Sequence, residues 1–274
     1  MYKEKVTADE VIVVIPVYRN YLSAYERISL QQGIRILAKY KIIVIKPRSL
    51  NLTVFNDFPF IEYISFNDNC FLDVDSYSQL MMSAKFYQEF LSYKYMLIYQ
   101  LDAFVFKDEL LDWCNMDYDY VGAPWLKDND YTDVFHYLKS KIRIFLSIRY
   151  NKKVRGKDEP SRRQYENQVG NGGFSLRRID KFYQLAKQYA DQLNYNHLGL
   201  DNWLPEDVFW AISINRLKTN LRIPGYKQAV RFSFENALER AFSLTNNILP
   251  FGCHDWDSHT DFWRDVFTEH GYSI

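Results

Sequence analysis

The chain has 274 residues and 47% apolar content, enough for a sizeable core at a length near the upper limit of one folding unit. Lys plus Arg and Asp plus Glu each number 34, so no global field recruits nucleic acid and an ionic partner must be read by a local patch. Cys70, Cys114 and Cys253 are odd in number, far apart and in no metal-ligand spacing, which argues against a disulfide framework and for a reducing compartment.

The N-terminal segment carries Lys3, Glu4, Lys5, Asp9 and Glu10 before a short apolar run. It is neither a secretory signal nor a membrane span, and the expectation is a cytoplasmic protein. Residues 11–15 form a continuous apolar run closed by Pro16, as for a strand covered on both faces. Residues 21–39 read as a helix, residues 42–45 as a second strand that stops at Lys46-Pro47, and residues 61–66 as a third. Leu80, Ala84, Tyr87 and Leu91 fall on one face of a predicted helix, and residues 95–99 form a central strand that runs into Gln100-Leu101-Asp102.

Alternating strands and helices imply a parallel sheet covered by helices on both sides. In such sheets ligands bind beyond the carboxyl ends of the strands, here at Pro16 to Arg19, Lys46-Pro47 and Gln100 to Asp102. A further strand is predicted at residues 118–121. Trp125, just beyond it, either stacks on a ligand or packs beneath the segment that follows.

An insertion at about residues 126–168 breaks the composition. Between 139 and 163, Lys139, Lys141, Arg143, Arg149, Lys152, Lys153, Arg155, Lys157, Arg162 and Arg163 face only Asp158 and Glu159. Ile142, Ile144, Phe145, Leu146 and Ile148 are interleaved with the first of these charges. The segment reads either as a surface for an anionic membrane or as a solvated, partly mobile loop. No internal repeat or low-complexity linker divides the chain, and one domain over residues 1–274 is expected.

Gly170, Asn171, Gly172 and Gly173 then precede Phe174. Three glycines allow positive φ and close approach to the backbone, which a polar ligand or a tight turn between strands would each require. Glu206 and Asp207 follow Pro205, either as acids complementing the first turn of a helix or as a catalytic pair. Asp102 caps a turn or ligates a divalent cation. His254 is a structural histidine or a second metal donor. Trp203 and Trp210 read as core, and residues 232–235 as a strand or short edge element with no assigned chemistry.

As an ordered set, these motifs resemble a family. The Ile-Pro-Val-Tyr strand end, Gln100-Leu101-Asp102, residues 119–125, the glycine loop, residues 205–210 and Phe251-Gly252-Cys253-His254 are similar to a family of microbial proteins of unknown function. That family in turn resembles glycosyltransferases of the GT-A fold, and the likeness spans about Val11 to Trp256. It implies an α/β domain with a mixed, mostly parallel central sheet flanked by helices.

The resemblance further implies that Pro16, Val17, Tyr18 and Arg19 hold the nucleotide base and that Asn171, Gly172 and Gly173 underlie the donor sugar. Asp102 and His254 would ligate Mn2+ or Mg2+. Gln100 stands where the family's Asp-x-Asp motif has its first acid, so an amide there hydrogen-bonds a hydroxyl without carrying charge. Asp207 would be the base of an inverting transfer, with Glu206 as its neighbour. The implied activity moves a sugar from a nucleotide-diphosphate donor to a glycan or lipid-linked acceptor in cell-surface polysaccharide synthesis, at the inner face of the plasma membrane. Two rivals stand against it. A nucleotidyltransferase needs a glycine-rich loop after the first strand, where residues 16–20 have none. A non-catalytic carbohydrate-binding or scaffold protein would keep the fold without turnover.

Overall fold

The computed structural model describes residues 4–58, 61–129, 131–157, 159–190 and 205–274. In chain order its elements begin with β1 (Val11–Pro16), α1 (Ala24–Ile36), β2 (Lys41–Pro47), β3 (Glu62–Phe66), α2 (Val74–Met82), α3 (Ala84–Gln88) and β4 (Tyr95–Tyr99). Then come β5 (Phe104–Val105), α4 (Leu110–Asn115), β6 (Tyr120–Val121), β7 (Pro124–Trp125), α5 (Val134–Arg149), β8 (Gln168–Val169), β9 (Phe174–Arg178) and α6 (Ile179–Gln188). The last are α7 (Glu206–Ala211), α8 (Tyr226–Ala229), β10 (Ser233–Phe234), α9 (Leu238–Leu244), β11 (Gly252–Cys253) and α10 (Thr260–Glu269).

The main sheet has the order β3-β2-β1-β4-β9-β6. Its first four strands are parallel, and β9 and β6 add antiparallel pairings at the other side. Every residue of β1 and β4 is buried, because their unbroken apolar runs suit a strand covered on both faces. Val11, Val13 and Ile15 enter one core cluster while Ile12 and Val14 enter another, the two-residue alternation of a pleated strand.

The helix predicted at 21–39 is shorter. It starts at Ala24 because Ser23 and Glu26 form a reciprocal capping box. The helical face carrying Leu80, Ala84, Tyr87 and Leu91 is divided between α2 and α3. Ser83 sits at φ −81°, ψ 140° between them, its hydroxyl capping the Phe86 amide, and Leu91 lies beyond α3, exposed. The first half of the basic insertion is not a loop but the helix α5, whose N-terminus is capped by Asp133 accepting from the His136 amide at 2.7 Å. Trp210 is fully buried, while Trp203 and Asp158 lie outside the described residues. Among the described residues no helix is long and apolar enough to cross a membrane.

Two pairings position the chemistry. In β4 and β9, Tyr99 stands opposite Phe174, and the next amide, Gln100, donates to the Gly173 carbonyl at 2.8 Å. The exit of β4 therefore lies beside the glycine loop. A three-stranded sheet, β10-β11-β5, sets Phe234 beside Cys253 and Cys253 beside Phe104. The residues next to those strand ends, Glu235, His254 and Asp102, are thereby gathered at one edge.

Candidate active site

His254 is the centre of that edge. Its Nε2 is 3.2 Å from Asp102 Oδ1 and 3.2 Å from Gln100 Oε1, and its Nδ1 is 3.5 Å from Glu235 Oε1. Burial works against a charged imidazole, but the two carboxylates outweigh it and push its pKa up to about 10. Burial also works to raise the Asp102 carboxyl, and the contact with His254 more than offsets it, leaving the pKa below the usual value. Glu235 Oε2 is buried without a hydrogen-bond partner, while Asp102 Oδ1 is paired with His254 and the buried Tyr77 hydroxyl lies beside Gln100. An orphaned carboxylate oxygen such as that of Glu235 is what a polar or cationic ligand would satisfy.

The glycine loop is built differently from the expectation. Neither Gly172 nor Gly173 has positive φ; the left-handed residue is Asn171, at φ 54°. Both glycines are buried, and what approaches their backbone is the protein itself. A β-carbon on Gly173 would overlap His254 Nε2 and Gln100 Oε1, and one on Gly172 would overlap the Glu206 carboxylate. Gly170 is covered by the Trp125 ring, which also meets Tyr165 edge-on with ring centroids at 5.6 Å. Gly172 thus seats the Glu206 carboxylate and Gly173 the His254 and Gln100 side chains, and neither is an open shelf under a donor sugar. The Asn171 amide is also spent internally. Its Oδ1 accepts from the Gly173 and Phe174 amides, and its Nδ2 donates to Glu235 at 2.5 Å and stands 3.0 Å from His254 Nδ1.

Glu206 and Asp207 open α7 and do different things. Glu206 is buried and makes two bonds, of 2.9 and 3.1 Å, with the guanidinium of the fully buried Arg177. Arg177 is further held by Ser175 Oγ, the Tyr87 hydroxyl and the Gly172 carbonyl. The Glu206 carboxylate is therefore committed to a structural ion pair. Asp207 is partly buried, and its Oδ1 accepts from the Val208 amide at 2.7 Å. Burial, then the charge of Glu206, raises its pKa to about 7, with a further contribution from Glu235. Glu235 thus lies within electrostatic reach of Asp207 on one side and contacts His254 on the other.

Of the residues expected to hold a nucleotide base, Pro16 and Val17 are buried in the core, and the Val17 amide donates to the Ile45 carbonyl. They cannot present side chains to a ligand. Tyr18 is 58% exposed, and Arg19 is paired with Glu26 at 2.6 Å with its guanidinium 4.5 Å from the Tyr21 ring centroid. Sequence reading missed Glu235, Arg177 and Tyr77. Only the polar ending of the Phe232-Ser233-Phe234-Glu235 run hinted at the first. Two cavities, of about 590 and 900 Å3, lie elsewhere, and neither is lined by Asp102, Asp207 or His254.

A divalent cation fits the Asp102–His254 edge in part. Two neighbouring ligands of an octahedral Mg2+ or Mn2+ stand about 3 Å apart, close to the observed separation, and such ions complete their shells with phosphate and water. Among the described residues no group of three or more His, Cys, Asp or Glu could hold a metal. The described residues alone therefore offer at most two neighbouring donors, Asp102 and His254.

Comparison with known proteins agrees with this architecture. The family described as "Protein of unknown function (DUF5672)" matches residues 60–254. No curated protein matches the sequence. The galactosyltransferase LgtC in complex with donor and acceptor sugar analogs superposes with TM-score 0.52 at 13% identity, over 89% of this chain and 86% of that one. An active-site mutant of LgtC gives TM-score 0.51 at 15% identity over the same shares. The fold is therefore that of GT-A-like glycosyltransferases, with a central, mostly parallel six-stranded sheet.

Proposed function

We propose that this chain, which belongs to the DUF5672 family, is a glycosyltransferase that moves a sugar from a nucleotide-diphosphate donor to a hydroxyl of a glycan or lipid-linked acceptor. One observation carries the reading. At the carboxyl end of β4, where open α/β sheets bind ligands, the carboxylates of Asp102 and Glu235 converge on His254, and Glu235 Oε2 is left buried without a hydrogen-bond partner.

In this reading Asp102 and His254, once the imidazole has lost its proton, would hold Mn2+ or Mg2+, whose chemistry is to offset negative charge on the departing diphosphate. Gln100 and the hydroxyl of Tyr77 remain to hydrogen-bond donor hydroxyls. Tyr18, exposed next to β1, offers a ring face to the base. The acceptor hydroxyl is a poor nucleophile while protonated. Asp207, with a pKa near 7, takes that proton as the new bond forms. A single base on the face opposite the leaving group gives inversion at the anomeric carbon. Glu206 positions Asp207 through Arg177 and does not touch substrate.

The cavity of about 900 Å3 is not lined by Asp207, so in this reading it takes only the part of an acceptor remote from the reacting hydroxyl. Gln168 and Val169 line it, as do Lys141, Lys227 and Arg231, and among the described residues no carboxylate does. Such a lining suits a phosphate-bearing acceptor, in keeping with a role in cell-surface polysaccharide synthesis.

The test is a thermal-shift series with UDP, GDP, CDP and ADP, each with and without Mn2+. A metal-dependent rise in Tm with one nucleotide supports the assignment, and no rise with any of them overturns it. Asp207→Asn then separates an enzyme from a carbohydrate-binding scaffold on the same fold. In an enzyme, turnover of the nucleotide-sugar collapses while its binding survives. The anomeric configuration of the product, read by NMR, tests inversion, and retention would remove Asp207 from the role of base.

A further inference from the structure

We infer that α5 is an interfacial helix that seats the protein on an anionic lipid surface. Phe135, Leu138, Ile142 and Phe145 are 85%, 52%, 60% and 65% exposed. Their spacing of three and four residues puts them on one stripe of the helix. Ile144 and Ser147, on the other side, are the residues that α5 buries. The fold therefore has a core-facing side for this helix and leaves the apolar stripe uncovered. Soluble surfaces seldom gather several large, mostly exposed apolar side chains in one line unless something covers them.

Charge decides what covers it. Lys139 and Arg143 flank the stripe on one side and Lys141 on the other, all exposed, and the turn that follows exposes Lys152, Arg155 and Lys157. Across residues 139–163 cations far outnumber acids although the whole chain is electrically balanced. Apolar side chains flanked by Lys and Arg match the boundary between acyl chains and anionic headgroups. A second copy of the chain docking through this same stripe would bring like charges face to face. An anionic bilayer satisfies both the stripe and its rim. Tyr137, Lys141 and Ile148 of the same helix line the 900 Å3 cavity, so a lipid-borne ligand would meet that cavity next to the surface.

The experiment is flotation of the full chain with vesicles of phosphatidylglycerol and phosphatidylcholine in equal parts, and with phosphatidylcholine alone, at low and high salt. Partition onto the anionic vesicles is expected to exceed that onto neutral ones by about tenfold or more and to fall with salt. The double variants Phe135→Glu/Phe145→Glu and Lys139→Glu/Arg143→Glu each lose it by about tenfold or more. Leu72→Glu, at an equally exposed leucine elsewhere, leaves it unchanged. Unchanged melting curves exclude misfolding as the cause of a loss. Absent binding, equal binding to neutral vesicles, or binding indifferent to both double variants overturns the inference. So does a dimer in sedimentation that Phe135→Glu/Phe145→Glu splits, which would make the stripe a contact between copies. The assay needs neither nucleotide nor metal, so its failure is separate from failure of the proposed transferase activity.

Discussion

Arg177 grips Glu206 through two N–H···O bonds of 2.9 and 3.1 Å, with the guanidinium wholly shut away from solvent. The pair joins β9 to the first turn of α7 and thereby sets where Asp207 stands.

Removing one partner strands the other as an uncompensated buried charge. Glu206→Ala is expected to cost about 3–5 kcal/mol in urea unfolding, with Arg177→Met similar. The double variant Arg177→Met/Glu206→Met should recover much of that loss, since the cost lies in the orphaned charge. If Glu206→Ala keeps full stability and loses only turnover, Glu206 touches substrate instead.

Asp207 gives the protein a pH signature. Its folded pKa of about 7 exceeds the ordinary 3.8, so the folded state binds the proton more tightly than the unfolded chain does. The stability it contributes is full below about pH 4 and is lost as pH rises through about 7. Asp207→Asn should therefore stabilise the fold at pH 8, by on the order of 4 kcal/mol at most, and leave stability nearly unchanged at pH 4. The same group predicts that kcat/KM of the wild type rises with pH through about 7. A flat profile across that range would argue against Asp207 as base.

The two neighbouring glycines should fail differently. Gly172→Ala pushes into the Glu206 carboxylate and is read as lost stability, on the order of 2–4 kcal/mol in urea unfolding. Gly173→Ala pushes into His254 and Gln100, whose environment is partly open, and is read chiefly as loss of nucleotide binding in a thermal-shift assay. Equal effects of the two on binding would mean that ligand itself covers Gly172.

Asp102→Asn and His254→Ala should each weaken nucleotide binding in Mn2+ by at least about tenfold in calorimetry. Neither should change the weaker binding measured in EDTA, because the loss acts through the cation. A wild type whose nucleotide affinity is the same in EDTA and in Mn2+ would exclude a metal at this edge.

Much of the fold is legible in the chain because burial on both faces writes itself as an unbroken apolar run. Residues 11–16 and 95–99 are central strands for that reason. The break at Ser83 was hidden, since the apolar spacing of Leu80, Ala84 and Tyr87 continues across it while a single extended residue interrupts the backbone. The glycines at 172 and 173 announce a close approach without naming what approaches. Only packing reveals that Glu206 and His254 fill those places. Glu235 follows a strand of two residues, too short to leave a periodic signal, and it enters the site by its distance in space from His254.

By itself, the sequence determined the four parallel strands β1 to β4 and that Gln100 and Asp102 stand just beyond the last of them. Those outcomes depend on interactions over a few residues. The tertiary structure alone decided that Arg177 takes Glu206, that Asn171 and Glu235 flank His254, and that Pro16 and Val17 belong to the core. The first two depend on β9 running antiparallel beside β4 and on β11 pairing with β5 and β10, and the third on β1 lying beside β2, contacts between residues far apart in the chain. Ion pairs and desolvation arise only once those strands are side by side, so no local pattern can carry them.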